Sequence, residues 1–252
     1  MNTVLITGCS SGYGLATALH FHAKGWKVLA GVRRPQALPD GLMPKSSRFQ
    51  PIALDVTDPD SIAAALRAGG SIDVLVNNAG IGLFGAFEAT PMATVREVFD
   101  TNTLGTMAMC QAVLPQFRER RSGVIVNVTS SSVLAPMPLV AAYTASKTAV
   151  EGFTASLALE LAQFGIRARL VQPGYAPTTR FAANGGQRMQ GLVPEAYAGY
   201  AQQVFAMLTN VRTVTTEADV AEAVWLAASE VDGPLRRPAG ADAVALARGD
   251  VS

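Results

Sequence analysis

Short runs of β-branched and other apolar residues alternate along the chain with longer stretches in which apolar residues recur at helical spacing. The apolar runs predict strands at residues 3–7, 27–32, 49–54, 72–76, 123–128, 167–172 and 243–247. Helices are predicted at about 14–24, 59–68, 92–117, 142–164 and 217–229. Strand and helix alternation of this kind requires a mostly parallel sheet between helices. We therefore predict a single α/β domain over residues 1–252, with a doubly wound, mostly parallel seven-stranded sheet and helices on both faces.

The least regular long stretch is the segment at about 174–215, which carries Gly, Pro and Asn together with scattered Phe, Tyr and Met. Long irregular segments in compact domains often cover a binding site. We expect this segment to form a loop over a substrate.

Composition limits the classes of partner. The 252 residues are 49% hydrophobic and 15% charged, with 20 basic and 19 acidic side chains and a net charge of +1. This balance gives no reason to expect a nucleic acid or an anionic membrane as partner. The two cysteines form no disulfide framework, and the first ten residues lack the basic segment of a signal peptide. We expect a cytoplasmic protein.

A glycine-rich loop joins the first predicted strand to the first predicted helix, with the sequence Thr7-Gly-Cys-Ser-Ser-Gly-Tyr-Gly14. Glycine lets the backbone turn tightly and approach a pyrophosphate closely. The first amide groups of the helix then face the phosphates, and the helix dipole favours their negative charge. The loop predicts a dinucleotide site, although an ordinary glycine-rich turn has the same composition.

The end of the second predicted strand bears on which dinucleotide binds. NAD enzymes place an acidic residue there for the ribose hydroxyl, whereas NADP enzymes use Arg for the 2′-phosphate. This strand ends in Arg33 and Arg34 and has no acidic residue. Guanidinium groups bind phosphate through paired, charge-assisted hydrogen bonds. The sequence therefore predicts NADP(H) as the cofactor. The alternative is that the two arginines are an ordinary solvated charge pair at a strand end.

A candidate acid/base pair, Tyr143 and Lys147, stands four residues apart at the start of a long predicted helix. The spacing puts both side chains on one helix face, where an ammonium is expected to lower the tyrosine pKa. Such a phenol can donate a proton to a carbonyl oxygen. Ser130 follows a buried strand, at the strand end where open α/β sheets place ligands. Taken alone, the spacing of Tyr143 and Lys147 also fits an ordinary surface pair on a helix, and Ser130 also fits a turn residue.

Together these motifs resemble the short-chain dehydrogenase/reductase family over essentially the whole chain. The further residues that carry the resemblance are Asp55-Val56, Asn77-Asn78-Ala79-Gly80, Asn102, and Pro173-Gly174 followed by Thr178. The Cys-Ser-Ser loop and the Gly-Val-Arg strand end resemble the branch with estradiol dehydrogenases, retinol dehydrogenases and bacterial carbonyl reductases. The resemblance implies a Rossmann-like fold and an NADP(H)-dependent oxidoreductase that interconverts a ketone or aldehyde and an alcohol.

The resemblance also implies roles for single residues. Tyr143 is expected to be the acid/base, Lys147 to bind the nicotinamide ribose, and Ser130 to orient the substrate carbonyl. Asn102 is expected to hold a water for proton relay. The implied cofactor-binding residues are Gly8, Ser10, Ser11, Gly12, Tyr13, Gly14, Arg33, Arg34, Asp55, Val56, Asn78, Ala79, Gly80, Tyr143, Lys147, Pro173, Gly174 and Thr178. No metal is implied, and the two long helices are expected to form a homodimer or homotetramer. Val133 departs from the glycine that the family often has there.

Apolar and aromatic residues are candidates for the wall of a substrate pocket. They are Gly82, Leu83, Phe84, residues 135–139, Tyr175, Phe181, Met189, Leu192, Tyr197, Tyr200 and Phe205. This inventory suits a bulky hydrophobic ketone, although ordinary helix packing uses the same residue types. A non-catalytic dinucleotide sensor on the same fold is the main alternative function. The glycine spacing disfavours a methyltransferase or a sugar-nucleotide epimerase.

Overall fold

The structure of the protein is a computed structural model, which describes residues 1–177, 186, 188–209 and 213–250. Within these residues the chain forms one seven-stranded sheet in the order β3-β2-β1-β4-β5-β6-β7. The strands are β1 Thr3–Thr7, β2 Lys27–Val32, β3 Phe49–Ala53, β4 Val74–Asn77, β5 Gly123–Val128, β6 Ile166–Pro173 and β7 Arg236–Ala239. Every neighbouring pair runs parallel. The predicted fold class is confirmed.

Helices follow the strands along the chain. In the described residues they are α1 Gly12–Ala23, α2 Pro59–Gly69, α3 Met92–Phe99, α4 Gly105–Arg120, α5 Ala141–Ala162, α6 Glu195–Thr209, α7 Glu217–Ser229 and α8 Ala241–Arg248. None of these helices is both long enough and apolar enough to cross a bilayer.

Two hydrophobic layers hold the helices against opposite faces of the sheet. Alternate residues of β1 point to opposite faces, so Val4 and Ile6 belong to one layer and Leu5 to the other. The first layer includes Phe21 of α1 and Val224 of α7. The second is completed by apolar side chains of α2, α4 and α5. All of β1 is buried, as expected for a central parallel strand.

The predicted strand at 243–247 is wrong. Residues 241–248 form helix α8, and the last strand is Arg236–Ala239, which pairs with β6. Gly240 ends the strand with a φ of +95°. The run Ala-Val-Ala-Leu-Ala that suggested a strand is rich in alanine, which has the highest helix propensity. A short apolar run does not by itself distinguish a strand from a buried helix.

The helix predicted at 92–117 is interrupted. The chain forms α3 and α4, and residues Asp100–Leu104 between them make a π-helical turn. Single π turns inside α-helices are frequent at functional sites. The turn matters here because Asn102 lies within it.

The order of the strands along the chain reverses direction between the neighbours β1 and β4. Hydrogen bonds join the carboxyl ends of these two strands. The Thr7 hydroxyl oxygen accepts hydrogen bonds from the backbone amides of Asn78 (3.0 Å) and Ala79 (2.9 Å). The Asn78 side-chain amide donates back to the Thr7 carbonyl at 3.0 Å. Such a switch point opens the crevice in which α/β sheets bind ligands.

We expect replacement of Thr7 by Val to destabilise this junction without changing its volume. Thr7 is only 1% exposed, so the change leaves two amide groups of the β4 end without an acceptor. The free energy of unfolding in urea should fall by about 3 kcal/mol. The control Thr7→Ser keeps the hydroxyl and should cost about 1 kcal/mol for the lost methyl. Equal losses in the two variants would contradict the proposed anchoring.

Candidate active site

A cavity of about 970 Å³ opens at the carboxyl ends of the strands. Of the residues that the sequence singled out for catalysis and cofactor binding, its lining contains Gly8, Ser10, Ser11, Gly12, Tyr13, Gly14, Arg33, Asp55, Val56, Asn78, Ala79, Gly80, Ser130, Tyr143, Lys147, Pro173 and Gly174. Two of the others stand apart from the lining: Arg34 is exposed beside it, and Asn102 is buried behind it. Thr178 lies outside the described residues.

The glycine-rich loop is shaped by close approaches of its backbone to the end of β4. Gly8 has a φ of +76°, and a Cβ atom there would lie 2.9 Å from Cα of Ala79. A Cβ atom on Gly14 would lie 2.3 Å from the Gly8 carbonyl oxygen. Both positions therefore require glycine.

Helix α1 begins at the wall of the cavity and suits an anionic group. Its N-cap residue is Ser11, whose side chain makes no capping hydrogen bond within the described part of the chain. Its first turn, Gly-Tyr-Gly-Leu, carries no acidic residue. The first amide groups and the positive end of the helix dipole thus face the cavity without a competing carboxylate. These features fit the pyrophosphate of a dinucleotide.

Arg33 and Asp55 line the cavity just beyond the carboxyl ends of β2 and β3. Burial alone would raise the pKa of the Asp55 carboxyl, but hydrogen bonds from Thr57 and the nearby Arg33 charge hold it below its ordinary value. One Asp55 oxygen accepts from both the backbone amide (2.9 Å) and the hydroxyl (2.7 Å) of Thr57. The exposed Arg33 guanidinium is a cationic group of the cavity lining at this end of the sheet.

Ser130, Tyr143 and Lys147 all line the cavity. Ser130 directly follows Thr129 at the end of β5, and the other two residues stand on the first turns of α5. Burial raises the pKa of Tyr143 to about 12, and a hydrogen bond with Ser130 opposes that rise. Burial also lowers the pKa of Lys147 to about 8. The ammonium donates to the carbonyl of Val128 at 3.0 Å.

The sequence predicted a lowered tyrosine pKa, and the structure gives the opposite direction. Tyr143 is only 8% exposed, so removal of its phenolate from water outweighs the other influences. Lys147 is itself buried, and its ammonium donates to the Val128 carbonyl. In this state of the protein the phenol holds its proton.

Asn102 supports the site from behind. Its side-chain oxygen accepts from the Ile81 amide at 2.8 Å, and its nitrogen donates to the Ile81 carbonyl (3.0 Å) and the Ser146 hydroxyl (3.1 Å). A Cβ atom on Gly80 would lie 3.2 Å from that oxygen and 3.3 Å from the Lys147 nitrogen. Asn102 and the glycine thus fix the space in which the Lys147 ammonium sits.

The cavity lining also has an apolar part, made up of Leu83, Phe84, Met137, Met189, Phe205 and Leu208. The rings of Phe84 and Phe205 lie 4.7 Å apart between centroids. Some predicted wall residues are placed elsewhere: Leu192 is packed in the core with Leu83, and Tyr197 and Tyr200 are absent from the lining. Phe181 lies outside the described residues.

An ion pair in the cavity lining could not be predicted from the sequence. Arg188 donates from Nε to Glu97 of α3 at 3.0 Å, and both residues line the cavity. This bond and the Arg188 charge lower the pKa of the Glu97 carboxyl, and the Arg33 charge lowers it further. The two partners are 91 residues apart in the chain. In the sequence, each of them resembles an ordinary solvated charged residue, so nothing local indicates that they pair.

Comparisons with known proteins agree with this geometry. The sequence model described as short chain dehydrogenase matches residues 2–189. Retinol dehydrogenase 8 of Bos taurus is 42% identical over 181 residues, which are 68% of this chain and 58% of that protein. The chain therefore spans little more than half the length of this relative.

Solved structures share the fold. A short-chain dehydrogenase from Streptomyces avermitilis superposes with a TM-score of 0.83 at 37% identity, covering 99% of this chain and 91% of its own. A Burkholderia cenocepacia short chain dehydrogenase in complex with NADP has a TM-score of 0.79 at 26% identity, with coverage of 98% and 92%. A 3-ketoacyl-(acyl-carrier-protein) reductase from Brucella melitensis, complexed with NADH, has the same TM-score and identity, with coverage of 94% and 96%.

Replacement of Lys147 by Met should stabilise the fold at neutral pH. The folded pKa of about 8 lies below the ordinary value of 10.5, so the cost of burying the charge is complete below pH 8 and disappears above pH 10.5. The substitution also removes the hydrogen bond from Lys147 to the Val128 carbonyl, which offsets part of this benefit. We therefore expect a net gain of about 2 kcal/mol in the free energy of unfolding at pH 7.

The matched control is Lys45→Met, at an exposed lysine. Urea unfolding of both variants at pH 6, 8 and 10.5 measures the effect. The gain in Lys147→Met should shrink as the pH rises through this range, while Lys45→Met should track the wild type. A gain that is independent of pH would contradict the buried ammonium.

Proposed function

This chain belongs to the short-chain dehydrogenase family, and we propose that it is an NADP(H)-dependent reductase that interconverts bulky hydrophobic ketones or aldehydes and their alcohols. The observation that carries the proposal is the position of the hydrogen-bonded Ser130 and Tyr143 pair. The pair lines the same cavity as the glycine-rich loop and a group of apolar side chains. A carbonyl group beside this pair would share the cavity with a dinucleotide and with apolar side chains.

The proposed preference for NADP(H) rests on Arg33. Its guanidinium lines the cavity at the end of β2, where the chain has no acidic residue to bind a free ribose hydroxyl. The structural neighbours do not decide the matter, because one was solved with NADP and another with NADH. When bound, the reduced nicotinamide supplies a hydride to the carbonyl carbon of the substrate.

Residues of the chain would supply the proton. The pKa of about 12 keeps the Tyr143 phenol protonated at neutral pH, as a proton donor to the carbonyl oxygen must be. Ser130 orients that oxygen beside the phenol. Lys147, whose pKa of about 8 leaves it mostly charged at pH 7, stabilises the phenolate that remains after the transfer. Solvent then restores the phenolic proton, and the released products are the alcohol and the oxidised dinucleotide.

The proposed substrate class follows from the apolar part of the lining. Leucine, methionine and phenylalanine side chains line the same cavity as Ser130 and Tyr143. Burial of a large apolar substrate against them supplies binding free energy in proportion to the apolar area removed from water. The similarity to a retinol dehydrogenase supports a bulky apolar substrate.

We also propose that the protein assembles as a homodimer or homotetramer. Leu104, beside α4, is 54% exposed, and Leu159 of α5 is 80% exposed. Exposed leucines on two neighbouring long helices are suited to contact a second copy.

The proposed chemistry predicts that Tyr143→Phe folds normally and loses turnover. The variant lacks only the phenolic oxygen, so the proton donor disappears while the cavity keeps its shape. Loss of NADPH absorbance with a panel of aryl and steroidal ketones should slow by at least about a thousandfold. NADPH binding, followed by cofactor fluorescence, should change little. Turnover that survives in the variant would exclude Tyr143 as the proton donor.

The proposed cofactor preference predicts different effects for two adjacent arginines. Arg33→Ala removes a guanidinium from the cavity lining, and kcat/KM for NADPH should fall by about 10- to 100-fold. Arg34→Ala removes the same charge from outside the lining, and the loss should stay below about threefold. Steady-state kinetics with NADPH and NADH measure both. A wild type that prefers NADH would refute the role given to Arg33.

A further inference from the structure

We propose that Asp242 is a positioning residue that holds both ends of the chain segment between Tyr175 and Thr215, and so sets how tightly the cavity binds cofactor and ketone. Asp242 lies in the first turn of α8 and is not part of the cavity lining. It therefore acts through the residues that it holds. The inference rests on the proposed function for its kinetic consequences, and its structural part is testable without turnover.

The two carboxylate oxygens of Asp242 bind different ends of the segment. Oδ2 accepts the backbone amide of Tyr175 at 2.6 Å, and Oδ1 lies 2.5 Å from the Thr215 hydroxyl. These partners are 67 and 27 residues from Asp242 in the chain. A hydrogen bond to an ionised oxygen is roughly twice as strong as a neutral one, so one side chain joins two distant points firmly.

Backbone contacts join the same two points to each other and to the sheet. The Thr215 amide donates to the Tyr175 carbonyl at 2.8 Å, which closes the segment at its base. The Gly174 amide donates to the Ala239 carbonyl at 3.1 Å, and the Thr215 hydroxyl lies 3.0 Å from that same carbonyl. The base is thus built on the end of β7, immediately before α8.

Two glycines make room for this arrangement. A Cβ atom on Gly174 would lie 2.1 Å from Oδ2 of Asp242, and one on Gly240 would lie 1.9 Å from the Thr215 hydroxyl oxygen. Neither distance is compatible with a side chain. The resemblance implied that Gly174 serves the cofactor, and the structure adds that this glycine is also where the Asp242 carboxylate packs.

The base of the segment is continuous with the cavity. Gly174 and Tyr175 line it, and the Tyr13 hydroxyl of the glycine-rich loop donates to the Gly174 carbonyl at 3.5 Å. Met189 and Phe205, which lie between Tyr175 and Thr215 in the chain, also line the cavity. A shift of the base therefore moves the chain beside the nucleotide loop.

Three variants and one control test the inference. Asp242→Ala removes both acceptors. Thr215→Val removes one donor and keeps the side-chain volume. Asp242→Asn is the conservative change, because its oxygen can accept from Tyr175 while its amide donates to the Thr215 oxygen. The matched control is Thr216→Val, which removes the N-cap of α7 but no contact of Asp242.

Steady-state kinetics are expected to separate the variants. In Asp242→Ala, kcat/KM for a bulky ketone should fall by at least about tenfold, mainly through KM, because binding groups are displaced by a fraction of an ångström. Thr215→Val should show a smaller loss in the same direction. Asp242→Asn should stay within about threefold of the wild type. Thr216→Val should lower Tm and leave KM unchanged.

Amide hydrogen exchange tests the structural part directly. Exchange at the Tyr175 and Thr215 amides should accelerate by at least about tenfold in Asp242→Ala and remain near wild type in Thr216→Val. The inference is overturned if exchange at Tyr175 is unchanged in Asp242→Ala, or if KM rises equally in Thr216→Val. If the wild type reduces no ketone, the proposed function fails, and exchange together with the NADPH Kd still decides the role of Asp242.

Discussion

The site depends on one constraint, which is that all seven strands run in the same direction. Their carboxyl ends consequently meet at one edge of the sheet, and the residues that follow β1, β4, β5 and β6 become neighbours there. At the division between β1 and β4, the Thr7 hydroxyl and the Asn78 side chain hold the two strand ends together. The same junction supports Gly8 and Gly14, whose missing side chains leave the backbone open to a pyrophosphate.

Burial is the second constraint, and it shifts the pKa values of Tyr143 and Lys147 in opposite directions. Removal from water raises the pKa of the phenol and lowers that of the ammonium, so both groups are driven towards their neutral forms. The Ser130 hydroxyl and the Val128 carbonyl offset part of this cost. A buried lysine with a perturbed pKa in the wall of a cavity is the pattern of a functional site.

Much of this arrangement could be predicted from local sequence. The buried run of β1, the glycine-rich loop and the Tyr143–Lys147 spacing each act over a few residues, so their geometry follows from one strand, one turn or one helix face. The strand predicted at 243–247 failed because an alanine-rich apolar run fits a helix equally well. The π turn around Asn102 has no local sequence signal, and Asn102 itself is hydrogen-bonded to Ile81, 21 residues away in the chain. Contacts such as Glu97–Arg188 and Asp242–Tyr175 join residues far apart in the chain, and nothing local marks them.

The proposed function requires this cavity to bring a reduced nicotinamide and a ketone together beside Tyr143. NADPH labelled with deuterium at both C4 positions, a bulky aryl ketone and the wild-type protein, with mass spectrometry of the product, test this requirement. We expect an alcohol that has gained one deuterium, bound to the former carbonyl carbon. An unlabelled alcohol, or labelled cofactor that binds but leaves every ketone of the panel unreduced, would refute the proposed function.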